Sequence, residues 1–173
     1  MLATTDTGFI EMRITKVVGF GPPLAEGYFW CVVLDGLSGD SPLVIEIGEM
    51  ESLSLSAALQ GWEFARPMTY QLTAALIRSL GGHLRQVRID RLVEGSYAAT
   101  VEIEGPLGPQ SVDARASDAL NLAAITSAPV FVSPDVAADG DRRRAEDSAT
   151  GRLLSLAVTS PPARLMREKP QTP

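Results

Sequence analysis

The stretch Ser111-Val112-Asp113-Ala114-Arg115-Ala116-Ser117-Asp118-Ala119-Leu120 runs from a short strand into a helix. Two carboxylates, a guanidinium and a hydroxyl fall between Asp113 and Leu120, and an apolar helix over Ala114–Thr126 carries them in its first turn. A helix start offers free N–H groups and a partial positive charge. A carboxylate placed there contributes about 0.3–1 kcal/mol. Capping is therefore one use of these residues: Asp113 caps, Asp118 complements the dipole, and Arg115 pairs with a neighbouring acid. The other use is a site. Hard cations take several oxygen ligands, commonly carboxylates, which Asp113, Asp118, Glu46, Glu49 and Glu51 could supply. Arg66 and Arg115 could grip a phosphate or carboxylate through two parallel N–H bonds. The residues alone leave both uses open.

Outward from this junction, alternation and β-rich composition predict strands over Phe9–Val18, Gly27–Leu34, His83–Leu92 and Ser96–Glu104. Val93-Glu94-Gly95 signals a hairpin between the last two. Shorter strands are expected at Leu43–Ile47, Ser111–Asp113 and Val130–Val132. Apolar spacing predicts helices over Glu49–Leu59, stopping at Gly61, and over Arg66–Leu80, with Pro67 at its start and Gly81-Gly82 at its end. The fold class is α/β of the α+β type: a mixed, mostly antiparallel sheet with about three helices. Strand, strand, short strand, helix occurs twice. Leu53-Ser54-Leu55-Ser56-Ala57-Ala58 resembles Leu120-Asn121-Leu122-Ala123-Ala124-Ile125 at an offset of 67, which also lays Glu46 on Asp113 and Glu51 on Asp118. The chain thus reads as an internal duplication of a strand-strand-strand-helix unit.

At 173 residues and 45% apolar composition the chain suits one domain with a tail. The domain is expected over residues 1–138. A charged, proline-rich and largely disordered tail is expected over 139–173, with Gly151–Val158 as a short docking element. There is no transmembrane-length apolar run and no signal-peptide layout at the start, so a cytoplasmic location and no membrane partner are expected. One cysteine, Cys31, excludes an internal disulfide and a cysteine-cluster metal site. One histidine, His83, leaves no serine–histidine–acid set to argue. There is no phosphate loop and no G-x-G-x-x-G. Net charge is −6, unevenly spread: residues 1–140 hold 8 basic and 17 acidic side chains, a net of −9, and residues 141–173 hold 7 and 4, a net of +3. Such a body repels phosphate backbones unless a cation intervenes. The run Arg142-Arg143-Arg144 is the other nucleic-acid candidate, but flanked by Asp141, Glu146 and Asp147 it reads as a solvated linker.

Four pieces resemble the bifunctional nuclease domain family, between about Phe9 and Val132. They are Pro42-Leu43-Val44-Ile45-Glu46-Ile47-Gly48 with Glu51 after it, Ala58-Leu59-Gln60-Gly61, Arg66-Pro67-Met68-Thr69, and Val112–Leu120 followed by Ala128-Pro129-Val130-Phe131-Val132. The resemblance implies a compact α/β domain, homo-oligomers, and nuclease activity on DNA and RNA. The family motif falls on Glu51, Arg66, Thr69, Asp113, Arg115, Ser117 and Asp118. Two departures are mild, Ala116 for a proline and Ser52 for an alanine. Two are not: Tyr70 and Gln71 stand where the family usually has histidine, which could act as general base or metal ligand, and aspartate, which could act as a ligand. The family-level expectation is metal-assisted phosphodiester hydrolysis. Glu51, Asp113 and Asp118 would be catalytic and would hold Mg2+ or Mn2+, with Arg66, Thr69, Tyr70, Gln71, Arg115 and Ser117 on the substrate. One alternative is a repurposed member that binds or transforms a small polar ligand. Another is a non-catalytic oligomeric regulatory protein.

Overall fold

The computed structural model describes residues 8–20 and 29–146. In chain order the elements are β1 (Ile10–Phe20), β2 (Phe29–Gly36), β3 (Leu43–Ile47), α1 (Glu49–Gln60), α2 (Thr69–Ser79), β4 (His83–Val93), β5 (Ser96–Gly105), β6 (Gly108–Arg115), α3 (Ala116–Thr126), β7 (Val130–Val132) and α4 (Pro134–Glu146). The strands form one sheet in the order β3-β2-β1-β7-β4-β5-β6. Within β1-β2-β3 and within β4-β5-β6 every pairing is antiparallel. Strand β7 lies between the halves, antiparallel to β1 and parallel to β4. The same unit, a three-stranded meander followed by a helix, therefore occurs twice, on either side of β7. This is the mixed, mostly antiparallel α+β fold that the sequence predicts.

Local chemistry explains the turns. Between β4 and β5, Val93 pairs with Ser96 across Glu94 (φ 49°) and Gly95 (φ 85°). Two consecutive left-handed residues match the twist of the flanking strands. Alternation decides which strand face is buried: Leu84, Val87 and Ile89 of β4 and Tyr97, Ala99 and Val101 of β5 face the core, while Arg88, Asp90 and Glu102 form ion pairs on the other face. Helices α1 and α3 pack against each other and carry contiguous buried runs, Ser52–Ala57 and Ala119–Ala123. A helix buried on nearly all sides lies in the middle of a core, and the serines and alanines let the two backbones approach closely. Helix α2 is peripheral; of its side chains only Ala74 is fully buried.

Three boundaries differ from expectation for identifiable reasons. Helix α3 starts at Ala116 because Ala114 and Arg115 still pair with Ala99 and Ala98 in the sheet. Helix α2 starts at Thr69, after Met68 in an extended conformation (φ −83°, ψ 178°), so Arg66 and Pro67 precede it. The domain boundary expected at residue 139 falls inside α4, which runs to Glu146. That helix is capped by Ser133, whose Oγ accepts from the Val136 N–H (3.3 Å) and donates to the Asp90 carbonyl (2.8 Å), with Pro134 at the favoured first position. Val136 is its buried anchor. The remainder of the expected tail, including Gly151–Val158, lies outside the described residues. Helix α4 touches both β4 and β3 and so bridges the two halves of the sheet. No described helix is long and apolar enough to cross a membrane.

Candidate functional site

Helices α1 and α3 begin alike. Their N-caps are Gly48 and Arg115, neither with a side-chain cap bond, and each helix places an acid at its third position, Glu51 and Asp118. The offset of 67 read from the sequence is therefore a correspondence of structural positions. Glu51 folds back so closely over Gly48 that a Cβ at position 48 would run into its carboxylate. Because α1 packs on α3, the two acids come near one another, and Arg115 joins them. Its Nε donates to Asp118 Oδ2 (2.8 Å), and its Nη2 donates to Asp118 Oδ1 (3.1 Å) and Glu51 Oε1 (3.0 Å). From α2, the Tyr70 hydroxyl donates to Asp118 Oδ1 (2.6 Å). Beneath them the fully buried Asn121 donates through Nδ2 to the carbonyls of Glu51 (3.1 Å) and Ser117 (3.0 Å), tying the two helix starts together.

The electrostatics follow. Partial burial opposes ionisation of Asp118, but the hydrogen bonds from Arg115 and Tyr70 outweigh it and hold the carboxyl below the usual aspartate range. Burial, then the hydrogen bond and charge of Asp118, push Tyr70 well above the ordinary phenol value. Asp118 is thus a fixed anion and Tyr70 a fixed donor at neutral pH. Arg115 is held even more firmly protonated, chiefly by its hydrogen bonds to Asp118. The buried Gln71 Oε1 has no hydrogen-bond partner among the described residues.

A groove of about 570 Å³ opens beside this cluster. It is lined by β3, by Gly48 at the start of α1, by the β4–β5 turn, by Arg115, Ala116 and Ser117 at the start of α3, and by Gly140 and Arg143 of α4. Its wall includes the half-buried Cys31, whose thiol is raised to about 11 by burial and the nearby Glu46. That thiol stays protonated and unreactive at neutral pH.

Of the residues predicted from sequence, Glu51, Asp118, Arg115 and Tyr70 form one bonded cluster, and Ser117 lines the groove next to it. Thr69 is exposed at the first position of α2, its carbonyl accepting from Thr73 (2.8 Å). Asp113 stands apart. It pairs with Thr100, whose hydroxyl donates to Asp90 (2.6 Å), on the sheet face away from the core. Arg66 is exposed in the α1–α2 connection, with no ion pair among the described residues. Among the described residues no three His, Cys, Asp or Glu side chains gather as a metal site. Arg115 and Tyr70 take both Asp118 oxygens and one of the two Glu51 oxygens, and the Arg115 guanidinium occupies the space between the two carboxylates, so this arrangement does not fit a resident Mg2+ or Mn2+ ion. Sequence reasoning missed Asn121 and the groove residue Tyr97, and it took Arg143 for part of a solvated linker. An asparagine inside an apolar helical run was the available signal for the first. Nothing local marked Tyr97, whereas Arg143 was marked by the run Arg142-Arg143-Arg144.

Comparison with known proteins gives the same direction. The family model described as the bifunctional nuclease domain matches residues 32–143. An uncharacterized protein of Mycobacterium tuberculosis (strain H37Rv) is 35% identical over 107 residues, 62% of this chain and 63% of its own length. Bifunctional nuclease 2 of rice (Oryza sativa subsp. japonica) is 32% identical and bifunctional nuclease 1 of Arabidopsis thaliana 33% identical, each over 104 residues, 58% of this chain and 32% of the plant protein. The chain spans less than two thirds of the length of these relatives. The family match covers more than half of the chain and takes in both helix starts, and the chain belongs to the bifunctional nuclease domain family.

Proposed function

We propose that this chain binds and hydrolyses the phosphodiester backbone of nucleic acid at the Arg115 cluster. One observation carries the reading: the Arg115 side chain is 69% exposed and yet fixed by three hydrogen bonds to two carboxylates, at the edge of an open groove. A pre-oriented, exposed guanidinium is suited to the planar edge of a phosphate. The starts of α1 and α3 border the same groove and add backbone N–H groups and two positive dipole ends. Together these offset the acidic character of the surrounding body. The names of the plant relatives point to the same class of reaction.

In this reading Arg115 holds a non-bridging phosphate oxygen, and Tyr70 keeps Asp118 oriented and anionic so that Arg115 stays in place. Water attacks phosphorus and passes its proton to Glu51, which carries only one of the three guanidinium bonds. The bond from phosphorus to the leaving sugar oxygen breaks, and that oxygen takes a proton from solvent. No step is routed through a metal.

The test uses the purified full chain with single-stranded DNA and with RNA, in the presence of Mg2+, Mn2+ or a chelator. Cleavage is expected, and Arg115→Gln and Glu51→Gln should each lower it by about a hundredfold, the usual scale for one positioned charge or base. Cleavage that is absent from the parent protein, or unchanged in both variants, rejects the proposal. The net charge of −9 over residues 1–140 favours a second reading, a small polar anion held at the same groove. That reading predicts saturable binding of a mononucleotide or inorganic phosphate with no polymer cleavage.

A further inference from the structure

A second cluster borders the same groove and copies the chemistry of the first. Asp139 of α4 accepts from the Tyr97 hydroxyl (2.9 Å to Oδ2) and pairs with Arg143 (Nε to Oδ2, 2.8 Å) and Arg142 (Nη2 to Oδ1, 3.3 Å). The Arg143 guanidinium also lies over the Tyr97 ring, 5.7 Å from its centroid. In the first cluster a tyrosine hydroxyl (Tyr70) and an arginine (Arg115) meet on Asp118; in the second, Tyr97 and Arg143 meet on Asp139. Burial, then the hydrogen bond from Tyr97 to Asp139, push that phenol up to about 12. Hydrogen bonds from Tyr97 and Arg142, with the charge of Arg143, outweigh partial burial and hold Asp139 below its usual range. The Arg143 side chain is 51% exposed and, like Arg115, lines the groove. The rest of the wall is mixed: Val44, Ile47 and Tyr97 contribute apolar surface, and Glu46 is a carboxylate that disfavours an anion beside it.

We infer that the groove is a two-phosphate site for single-stranded nucleic acid, with Arg115 taking one phosphate, Arg143 a second, and the intervening nucleoside against the apolar wall. The inference rests on the proposal that Arg115 receives phosphate, and it adds Arg143 as a binding residue that separates a polynucleotide from a mononucleotide. A volume of about 570 Å³ is sufficient for a nucleoside with two phosphates. The two positions come from different parts of the chain, the α3 start and α4. They form one site because Ser133 and Val136 dock α4 against the sheet.

The test is binding, so it does not depend on hydrolysis. Thymidine carrying phosphates on both its 3′ and 5′ oxygens is compared with thymidine 5′-monophosphate, by calorimetry on the full chain. The bisphosphate should bind about tenfold more tightly, and Arg143→Gln should remove that preference. For a fluorescent oligothymidine, the slope of log affinity against log salt should become shallower by about 0.7 in Arg143→Gln, the value for one lost phosphate contact on a single strand. Arg143→Lys should keep the parent slope, since it keeps the charge, whereas a merely structural role for Arg143 would leave the slope alone in both variants. An unchanged bisphosphate preference and salt slope in Arg143→Gln, or a slope in Arg143→Lys equal to that of Arg143→Gln, overturns the inference. Absence of hydrolysis with an Arg143-dependent bisphosphate preference rejects only the hydrolytic reading.

Discussion

Replacing Tyr70 by phenylalanine removes one oxygen and tests whether the cluster is held together as described. Asp118 accepts three hydrogen bonds, from Tyr70 at 2.6 Å and from Arg115 at 2.8 and 3.1 Å. A hydrogen bond to a charged group contributes about 1.5–3 kcal/mol. The Asp118 side chain is 29% exposed and keeps both guanidinium bonds in the variant, so the carboxylate is not orphaned and the loss falls to about 1 kcal/mol. For a chain of this size that lowers the Tm by about 3 °C. The pH dependence has a definite sign. Tyr70 titrates above its unfolded value of about 10, so its contribution is complete below that pH and is lost as pH rises through the folded value. Asp118 titrates below its unfolded value of about 3.9, so its contribution is complete above that pH and is lost as pH falls through the folded value. Thermal unfolding followed across pH should therefore show a Tm gap between parent and Tyr70→Phe that is flat from about pH 5 to 9 and narrows on either side. A phenolate absorbance titration should lose one tyrosine that ionises above the ordinary phenol range in the variant. A gap that persists undiminished in alkali, or no gap at neutral pH, would refute the account of this cluster.

Two further substitutions probe how the helix starts are joined. Asn121→Ala removes both bonds that link the α1 and α3 starts and leaves a cavity, so it should cost about 2–4 kcal/mol, read by urea unfolding. Gly48→Ala fits the local backbone (φ −72°) and should cost only about 0.5–1 kcal/mol as a poorer N-cap. Because the new Cβ displaces the Glu51 carboxylate, it should nonetheless loosen Arg115 and weaken oligothymidine binding, measured by fluorescence polarisation.

Much of this was legible in the sequence because it depends on neighbours along the chain. Short apolar runs marked β3 (Leu43–Ile47) and β7 (Val130–Val132, opened by Pro129) at their observed bounds. The offset of 67 matched Glu51 with Asp118, and both occupy the third position of their helices. Helix α4 escaped because its residues after Val136 are mostly charged and one is glycine, so no apolar stripe marks it. The signal it does carry is the Ser133-Pro134 start. Asp113 looked like a partner of Asp118 by proximity in sequence. A strand points successive side chains to opposite faces, and the ladder register with Thr100 sends Asp113 to the side away from the core.

The sequence by itself determined the repeated strand-strand-strand-helix order, the family, and the acids at the two helix starts, since local pattern and turn chemistry specify each. Only the tertiary structure decided who meets whom. The α1–α3 packing lets Arg115 span Glu51 and Asp118, residues 64 and 3 positions away. The docking of α4 brings Asp139 and Arg143 to Tyr97 of β5, 42 or more positions earlier, beside the same groove. Contacts across such separations depend on how whole elements pack, and a linear pattern carries no record of that.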